Sequence, residues 1–456
     1  MKTFQDFLKC KNEQERIQFI EAAIAEYKKS DEYKTAYDAD LYDRKKNVTI
    51  MRFQKWLTTM TGEMIPDVYS PNHKIVSNFF NFFVTQENQY LLGNGVTLEE
   101  ANKTKLGRDF DIRLQEAGEN ALIHGVAYCF WNLDHINVFK ALEFAPLYDE
   151  ETGGLRGGIR FWQIDADKPL RVTLYEEDGL TEYIRRKGEA MVIMDGGEKR
   201  GYVQVIQSSK VDGTEILEYR NYPSFPILPL WGNRHHQSEL VGLRTQIDAF
   251  DLIKSGFAND LDEASMIYWL IEGAGGMDDI DLAKFVERIK TLHAHAFNDE
   301  GAKAQAHTLD VPHSARVAYL ERLEKDLYKD AQALNVEELS SGNKTATEIN
   351  AAYQRLDNKV DRYEYCVLDF LQRLFELIGI QDKPQFKRSR IINQLEETQM
   401  VLMAAQYLDE ELILNKLPWL TPEEVDELLK RKDVEDSLRM SGAGRVNEDP
   451  VIEDEE

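Results

Sequence analysis

The stretch LERLEKDLYKDAQALNVEELSSGNKTATEINAAYQRLDNKVDRYE, residues 320–364, decides how the rest of the chain is read. From just before it and through its first part, Val317, Leu320, Leu323, Leu327, Ala331 and Leu334 recur at intervals of three and four, which places them on one face of a helix. From its second half onward, Ile349, Tyr353, Leu356, Val360, Tyr363, Val367, Phe370, Leu374 and Ile378 do the same over about thirty residues, roughly 50 Å at 1.5 Å per residue. Between the two lies LSSGNKTATEI (339–349), whose Gly342, Lys344 and Thr345 are residue types that cradle a nucleotide phosphate. A phosphate loop, however, needs GxxxxGK[ST] after a buried strand. Here Asn343 precedes Lys344, Glu338 stands five positions earlier, and a helix leads in, so both glycine positions fail. Thr345 and Glu348 instead spell T-x-x-E, a capping box that opens the long helix. On periodicity alone this is a polar surface loop joining two apolar-striped helices.

The surrounding chain is large enough for two to four sub-structures at 456 residues, and 43% hydrophobic content is that of a folded protein. Cys10, Cys129 and Cys366 lie far apart with no CxxC pair, which argues against a disulfide framework and a cysteine zinc site. The start, MKTFQDFLKCKNEQER, has no apolar h-region, so no signal peptide is expected. No apolar run approaches the ~20 residues of a membrane span. The chain is expected to be soluble and intracellular when made, with no membrane partner. The formal charge of −26 is uneven: residues 1–50 balance at ten basic and ten acidic, whereas 409–456 carry six basic and sixteen acidic. A protein that grips duplex DNA shows the opposite, a basic stripe that releases counterions.

Helical spacing dominates both ends. NEQERIQFIEAAIAEYKK (12–29) aligns Ile17, Ile20, Ala23, Ile24 and Tyr27, NHKIVSNFFNFFVTQENQYLLG (72–93) predicts a rich apolar helix, and a third near 102–124 should stop at Gly125. From 125 to 222 the period changes to alternation, broken by turns at NLDH, DGGEKR and SKVDG, which predicts a strand meander. Pro223, Pro226 and Pro229 make 222–233 an extended connector. Helical spacing returns with Ile247, Phe250, Ile253, Phe257, Leu261 and Ala264. A compact insert follows, with strand-like MIYWLIEG (266–273), a short helix on Leu282, Val286 and Ile289, and strand-like AHTLDV. The last hundred residues are helical again, broken at Pro418 and Thr421-Pro422, and 441–456 has the composition of a disordered acidic tail.

Candidate chemistry is sparse. His235-His236, His293/His295 and His307/His313 are the histidine clusters, without HExxH spacing or an accompanying carboxylate at helical spacing. There is no GxSxG, GxGxxG or Cys/His pairing. No catalytic residue, cofactor or metal site is expected, and the chain is read as a non-enzyme.

The order of these elements resembles the portal proteins of tailed bacteriophages, in the subfamily found in long-tailed phages of Gram-positive hosts. The resemblance is carried by NHKIVSNFFNFFVTQENQYLLGNGVT (72–97), AGENALIHGVAYCFWNLD (117–134), LRTQIDAFDLIKSGFANDLDEASMIYWLIEG (243–273) and the opening stretch, and it extends from about 45 to 435. It implies an α+β, mostly helical, portal-like fold. The α/β wing would be 1–243 with a return at 379–392, the two-helix stem 244–265 and 313–334, and the small α/β clip 266–312. A tunnel loop at 335–345, a long wing helix at 346–378, a helical crown at 393–440 and the tail 441–456 complete the plan.

The same resemblance implies a homo-oligomeric ring, typically of twelve subunits, at one capsid vertex. Such a ring is the channel for double-stranded DNA packaging and ejection, held non-specifically, in the virion after assembly in the host cytoplasm. Its implied partners are the terminase large subunit, head-completion or connector proteins, and the major capsid and scaffolding proteins. The channel loop would consist of Glu337, Glu338, Ser340, Ser341, Gly342, Asn343, Lys344 and Thr345. Partner docking would use Asp278, Asp279, Glu287, Arg288 and Lys290. The alternative from another class is an oligomeric scaffold or adaptor that never touches DNA; an NTP-hydrolysing enzyme would rest on GNKT alone.

Overall fold

The computed structural model describes residues 2–59, 61–68, 70–208, 215–264, 268–272, 280, 283–284, 287, 303–307, 313–337, 346–389, 403, 409–417, 425 and 427–432. Two compact units emerge, one of Met1–Val336 with Tyr353–Ser389, the other of Glu337–Ala352 with Arg390–Glu456.

The first unit opens with helices α1 (Phe4–Leu8), α2 (Glu13–Tyr27), α3 (Asp31–Asp43) and α4 (Val48–Arg52). Thr3, Asn12 and Ser30 each cap one of the first three by accepting a backbone N–H, which is why the chain breaks at these polar residues. The stripe expected on α2 is buried at Ile20, Ala23, Ile24 and Tyr27. Together with Phe7 and Phe19 it packs on Ala145, Leu147, Ile159, Phe161, Val172 and Leu174. These belong to an antiparallel five-stranded sheet, ordered β10-β9-β8-β7-β6, made of β6 (Phe144–Tyr148), β7 (Leu155–Trp162), β8 (Leu170–Glu176), β9 (Gly179–Arg185) and β10 (Val192–Ile193).

A second sheet, β13-β4-β5, combines β4 (Val126–Asn132), β5 (His135–Lys140) and β13 (Ile227–Trp231). The proline-rich connector is thus extended, and its middle pairs as an edge strand, where Pro229 removes no ladder bond that the sheet needs. Tyr128, Phe130, Phe139, Phe144, Tyr175 and Phe225 form an aromatic core between the sheets. A separate ribbon joins β11 (Val203–Ser208) and β12 (Glu215–Arg220), so the meander expected over 125–222 is present.

Two helices differ from expectation. The apolar helix predicted over 72–93 begins only at Phe79, as α5 (Phe79–Leu92). The helix predicted near 102–124 is two, α6 (Glu100–Lys105) and α7 (Phe110–His124), separated at Gly107, whose φ of +86° a helix cannot hold. Gly125 ends α7 as predicted, in the left-handed conformation with φ 89°. Between α6 and α5 the short strand β3 (Val96–Thr97) pairs with β16 (Gln385–Phe386), near the chain's return.

The missing first turns of α5 have a cause in α8 (Leu240–Ala264). Residues 73–77 run extended and antiparallel along α8. His73 donates its N–H to Asn259 Oδ1 (2.7 Å), Ile75 to Ser255 Oγ (2.9 Å) and Ser77 to Asp251 Oδ1 (2.9 Å). The strap therefore satisfies alternate backbone donors on side chains spaced four apart on a helix. Sequence spacing put the apolar residues Ile247, Phe250, Ile253, Phe257, Leu261 and Ala264 on one stripe of this helix. Ile247 and Phe250 are buried, but beyond them the buried positions are Asp251, Ser255 and Asn259, and Leu261 is exposed.

α9 (His313–Asp330) packs antiparallel on α8, and the two are linked through the paired strands β14 (Tyr268–Glu272) and β15 (Lys303–His307). Phe79 and Phe83 of α5 gather edge-on against Tyr328 of α9, and Phe79 also against Phe250 of α8, so three helices share one aromatic knot. The long helix α10 (Ala346–Ile378) has 33 residues. Its expected stripe is buried at Tyr353, Leu356, Val360, Tyr363, Val367, Phe370 and Leu374. In the second unit the described secondary structure is the first turns of α10, α11 (Glu410–Lys416) and helical residues at 337, 403, 425 and 427–432.

Candidate functional site

The site residues read from the sequence fall mostly outside the described residues. That is the case for Glu338, Ser340, Ser341, Gly342, Asn343, Lys344, Thr345, Asp278, Asp279, Arg288 and Lys290, as for His293 and His295. Glu337 is described and exposed, and Glu287 is helical and exposed. What the first unit shows is the framework around the end of α9 and the inner part of α10.

Three polar devices hold that framework. Past α9, the Gln86 side-chain amide of α5 grips Leu334 twice, accepting its N–H (2.8 Å) and donating to its carbonyl (3.0 Å). This mimics one step of a β-ladder and fixes the backbone three residues before Glu337. On α10, Lys359 Nζ lies 2.7 Å from Glu87 of α5 and 3.0 Å from Glu239, the residue before α8. The side chains are 15%, 4% and 19% exposed, so this is a buried triad in which two carboxylates outnumber one ammonium. Burial pushes the Glu87 carboxyl up to about 7 against the pull of Lys359. Burial alone would lower Lys359, but the Glu87 and Glu239 carboxylates outweigh it and raise it. The cluster thus sheds its excess negative charge at Glu87 and keeps the ammonium.

Further along α10, Arg388 reaches Asp357 (3.0 Å), Glu364 (2.7 Å) and Asp361, three carboxylates at intervals of four and three on one face. Tyr90 of α5 donates its hydroxyl to the same Asp357 (2.7 Å). Burial would lower Arg388, but Glu364, Asp361 and Asp357 outweigh it, and its guanidinium is held firmly charged. Tyr363 donates to Asn88 Oδ1 (3.1 Å) directly above Gly118 of α7, where a Cβ would stand 2.1 Å from the Tyr363 hydroxyl. Only glycine lets α5, α7 and α10 approach this closely.

Beside the triad a groove of about 1130 Å³ is lined by Trp231, His236, Glu239, Gln332, Lys359 and Tyr363 among others. His236 stacks on Trp231 with ring centroids 3.7 Å apart. His236 and Gln332 are both non-glycine residues in the left-handed region, at φ 55° and 54°. Burial, then the neighbouring His235, lowers the His236 pKa, and burial, then Asp369, raises that of the Cys366 thiol. The one is therefore held neutral as a base and the other as a thiol. Among the described residues no group of three His, Cys, Asp or Glu could hold a metal ion. Chemically the region is a braced surface with fixed charges.

The triad and the Arg388 clamp escaped sequence reading because their partners are more than a hundred residues apart or on another element. One signal was present: Lys359 stands three residues after Leu356 and four before Tyr363, on the apolar stripe itself.

The family model described as "Phage portal protein, SPP1 Gp6-like" matches residues 18–437. The chain belongs to this family of phage portal proteins. The portal protein of Clostridium phage phiCD119 is 27% identical over 234 residues, covering 49% of this chain and 52% of that one. The portal protein of Bacillus phage SPP1 is 23% identical over 325 residues, covering 66% and 61%. The chain thus spans about half to three-fifths of the length of the curated relatives it matches. Among solved structures, the neck of an empty gene transfer agent particle aligns over 74% of this chain and 88% of its own. At 11% identity and a TM-score of 0.43 that likeness is too slight to bear on function. For this portal-family chain, no helix among the described residues is long and apolar enough to cross a membrane.

Proposed function

We propose that this chain assembles into a closed ring at one capsid vertex, the channel by which double-stranded DNA enters and leaves the head. The observation that carries this reading is the family match over 18–437, within which an antiparallel helix pair, a small paired-strand insert and a long helix follow in order. In this reading α8 and α9 are the stem, the segment between them is the clip that docks the terminase and later the head-completion proteins, and 335–345 is the loop toward DNA. The charge supports it: at −26 per chain, a ring repels phosphate and lets a duplex slide, where a basic stripe would hold it. Ser340, Ser341, Asn343 and Lys344 offer replaceable hydrogen bonds and one cation per subunit, contacts to the backbone without base reading. No catalytic step is assigned to the chain.

Imaging of the purified protein tests the ring: closed rings with a hole wide enough for a duplex are expected, without added metal or nucleotide. Only monomers or dimers at micromolar concentration would overturn it. A photocrosslinker at position 343 tests the channel, labelling DNA in filled heads and nothing in empty ones; rings that never label DNA leave the adaptor reading.

A further inference from the structure

Two apolar surfaces lie at the same end of the α8–α9 pair without cover among the described residues. One is a two-stranded hairpin, β1 (Trp56–Thr58) on β2 (Met64–Pro66), registered Trp56 to Pro66, Leu57 to Ile65 and Thr58 to Met64. Every residue of both strands is exposed, Trp56 at 53% and Met64 at 65%. Leu57 and Ile65 point to the opposite face from Trp56 and Met64, so neither face of the hairpin meets a core. A two-stranded hairpin is marginal in water by itself, and an exposed apolar patch of this kind marks a contact surface. The other surface is the N-terminal half of α9, where Ala315, Ala318 and Tyr319 are exposed, Tyr319 at 51%, and share one face at intervals of three and four. Along all of α9 only Leu327 is buried.

Both surfaces are moored to one place. Lys55, at the base of the hairpin, pairs with Glu263 near the end of α8 (3.6 Å). At the start of α9, Arg316 pairs with Asp260, and His313 packs edge-on against Phe257 at 5.6 Å. Asp260 and Glu263 are one helical turn apart.

We propose that the β1–β2 hairpin of one subunit packs on the N-terminal half of α9 of the next copy, forming a head-to-tail contact of the ring. The proposal rests on the ring reading above and names the elements that meet. The argument is one of symmetry. Rotation about a ring axis returns every point at its own level on the adjacent copy, whatever direction the axis takes through the subunit. Two surfaces anchored within one turn of each other therefore stand at nearly the same level on neighbours. The groove beside Trp231 lies at the far end of α8, roughly 35 Å away at 1.5 Å per residue, and is level with the hairpin only if α8 lies across the axis. A heterologous contact uses each surface once per subunit, so a closed ring leaves neither apolar surface open. A second copy of this chain thus covers both, which a foreign partner on either one would not.

Crosslinking tests it in the full chain, with Cys10→Ser and Cys366→Ser leaving only the buried Cys129. Ile65→Cys and Tyr319→Cys in one chain, treated with a short bismaleimide, should give a covalent ladder rising to the full ring. Co-assembled chains carrying one substitution each should give covalent dimers and no higher species, and either one alone should give none. Trp56→Ser with Ile65→Asp should lower the ring fraction at least tenfold at fixed concentration while the circular dichroism spectrum is unchanged. Intact rings that give no crosslink, or crosslinks confined to one chain, overturn the contact and leave the ring reading standing. A wild-type chain that forms no rings removes both.

Discussion

Two long helices of this protein carry opposite chemistry on their inward faces. α10 turns Tyr353, Leu356, Val360, Tyr363 and Val367 to a core of side chains, and its stripe is apolar. α8 begins the same way with Leu243, Ile247 and Phe250, then continues with buried Asp251, Ser255 and Asn259. The difference lies in what each helix meets. A core of side chains rewards apolar area at about 25 cal/mol per Å². A strap of bare backbone brings N–H groups that must be satisfied, and here only side-chain acceptors can do it. Burial therefore does not imply hydrophobicity; it implies complementarity to the neighbour.

The exception within each helix is the place to break this contrast. α10 carries one charge into its stripe, and Lys359→Met should destabilise the protein by about 3 kcal/mol, because Glu87 and Glu239 are left buried without a counter-charge. A denaturation midpoint equal to wild type would mean that the triad is no more than an ordinary surface pair. On α8, Asp251→Ala removes the acceptor for both the Ser77 N–H and the Asn47 amide, and should cost about 2 kcal/mol. If Asp251→Leu proves as stable as wild type, the polar stripe is not what holds the strap.

Gly118→Ala pushes a methyl group at the Tyr363 hydroxyl and should cost on the order of 1–2 kcal/mol by overpacking. Its thermal midpoint should recover in part with Tyr363→Phe, since the obstructing atom is then gone.

The triad also makes stability depend on pH. Glu87 is pushed up to about 7 in the folded protein from an ordinary value of 4.5. The folded state holds the proton more tightly, so this contribution is complete below about 4.5 and is lost as pH rises through about 7. Denaturation midpoints of the wild type should fall across that window relative to Glu87→Gln, and parallel pH profiles would remove the assignment. The smallest effect belongs to Leu261, apolar and in register with its helix yet 43% exposed. In dilute monomer Leu261→Ser should stay within about 0.5 kcal/mol.

Much of the fold was legible because local signals and tertiary demands agreed. The α2 stripe, the α10 stripe, the alternation of the meander and the left-handed stop at Gly125 all follow from spacing or from one residue's conformational freedom. Legibility failed where a distant partner overrode local preference. Residues 72–78 read as helix because Ile75 and Val76 continue the spacing of α5, yet α8 draws them out as an extended strap. The apolar positions at Leu261 and Ala264 continued a period whose inward face had already turned polar. Of the candidate site, the loop assignment rests on the family resemblance, since its residues have no periodicity to read, and all of them from 338 to 345 lie outside the described residues. The ion-paired braces of the first unit join positions 87, 239 and 359, and 357 and 388, a pairing that spacing along the chain does not encode.

The strap on α8 behaves as a vernier, two rulers of unequal division laid side by side. Four helical residues advance about 6.0 Å, while two extended residues advance about 6.7 Å. With these ideal rises, successive rungs drift by ~0.7 Å, which the side chains of Asp251, Ser255 and Asn259 absorb at 2.9, 2.9 and 2.7 Å, whereas a fourth rung would be off by ~2 Å, beyond the tolerance of a hydrogen bond. The mismatch sets its own length limit of about three rungs. It also leaves one alignment in which all three rungs close together, so the pairing that pulls the strap out of helix also sets where along α8 it must lie.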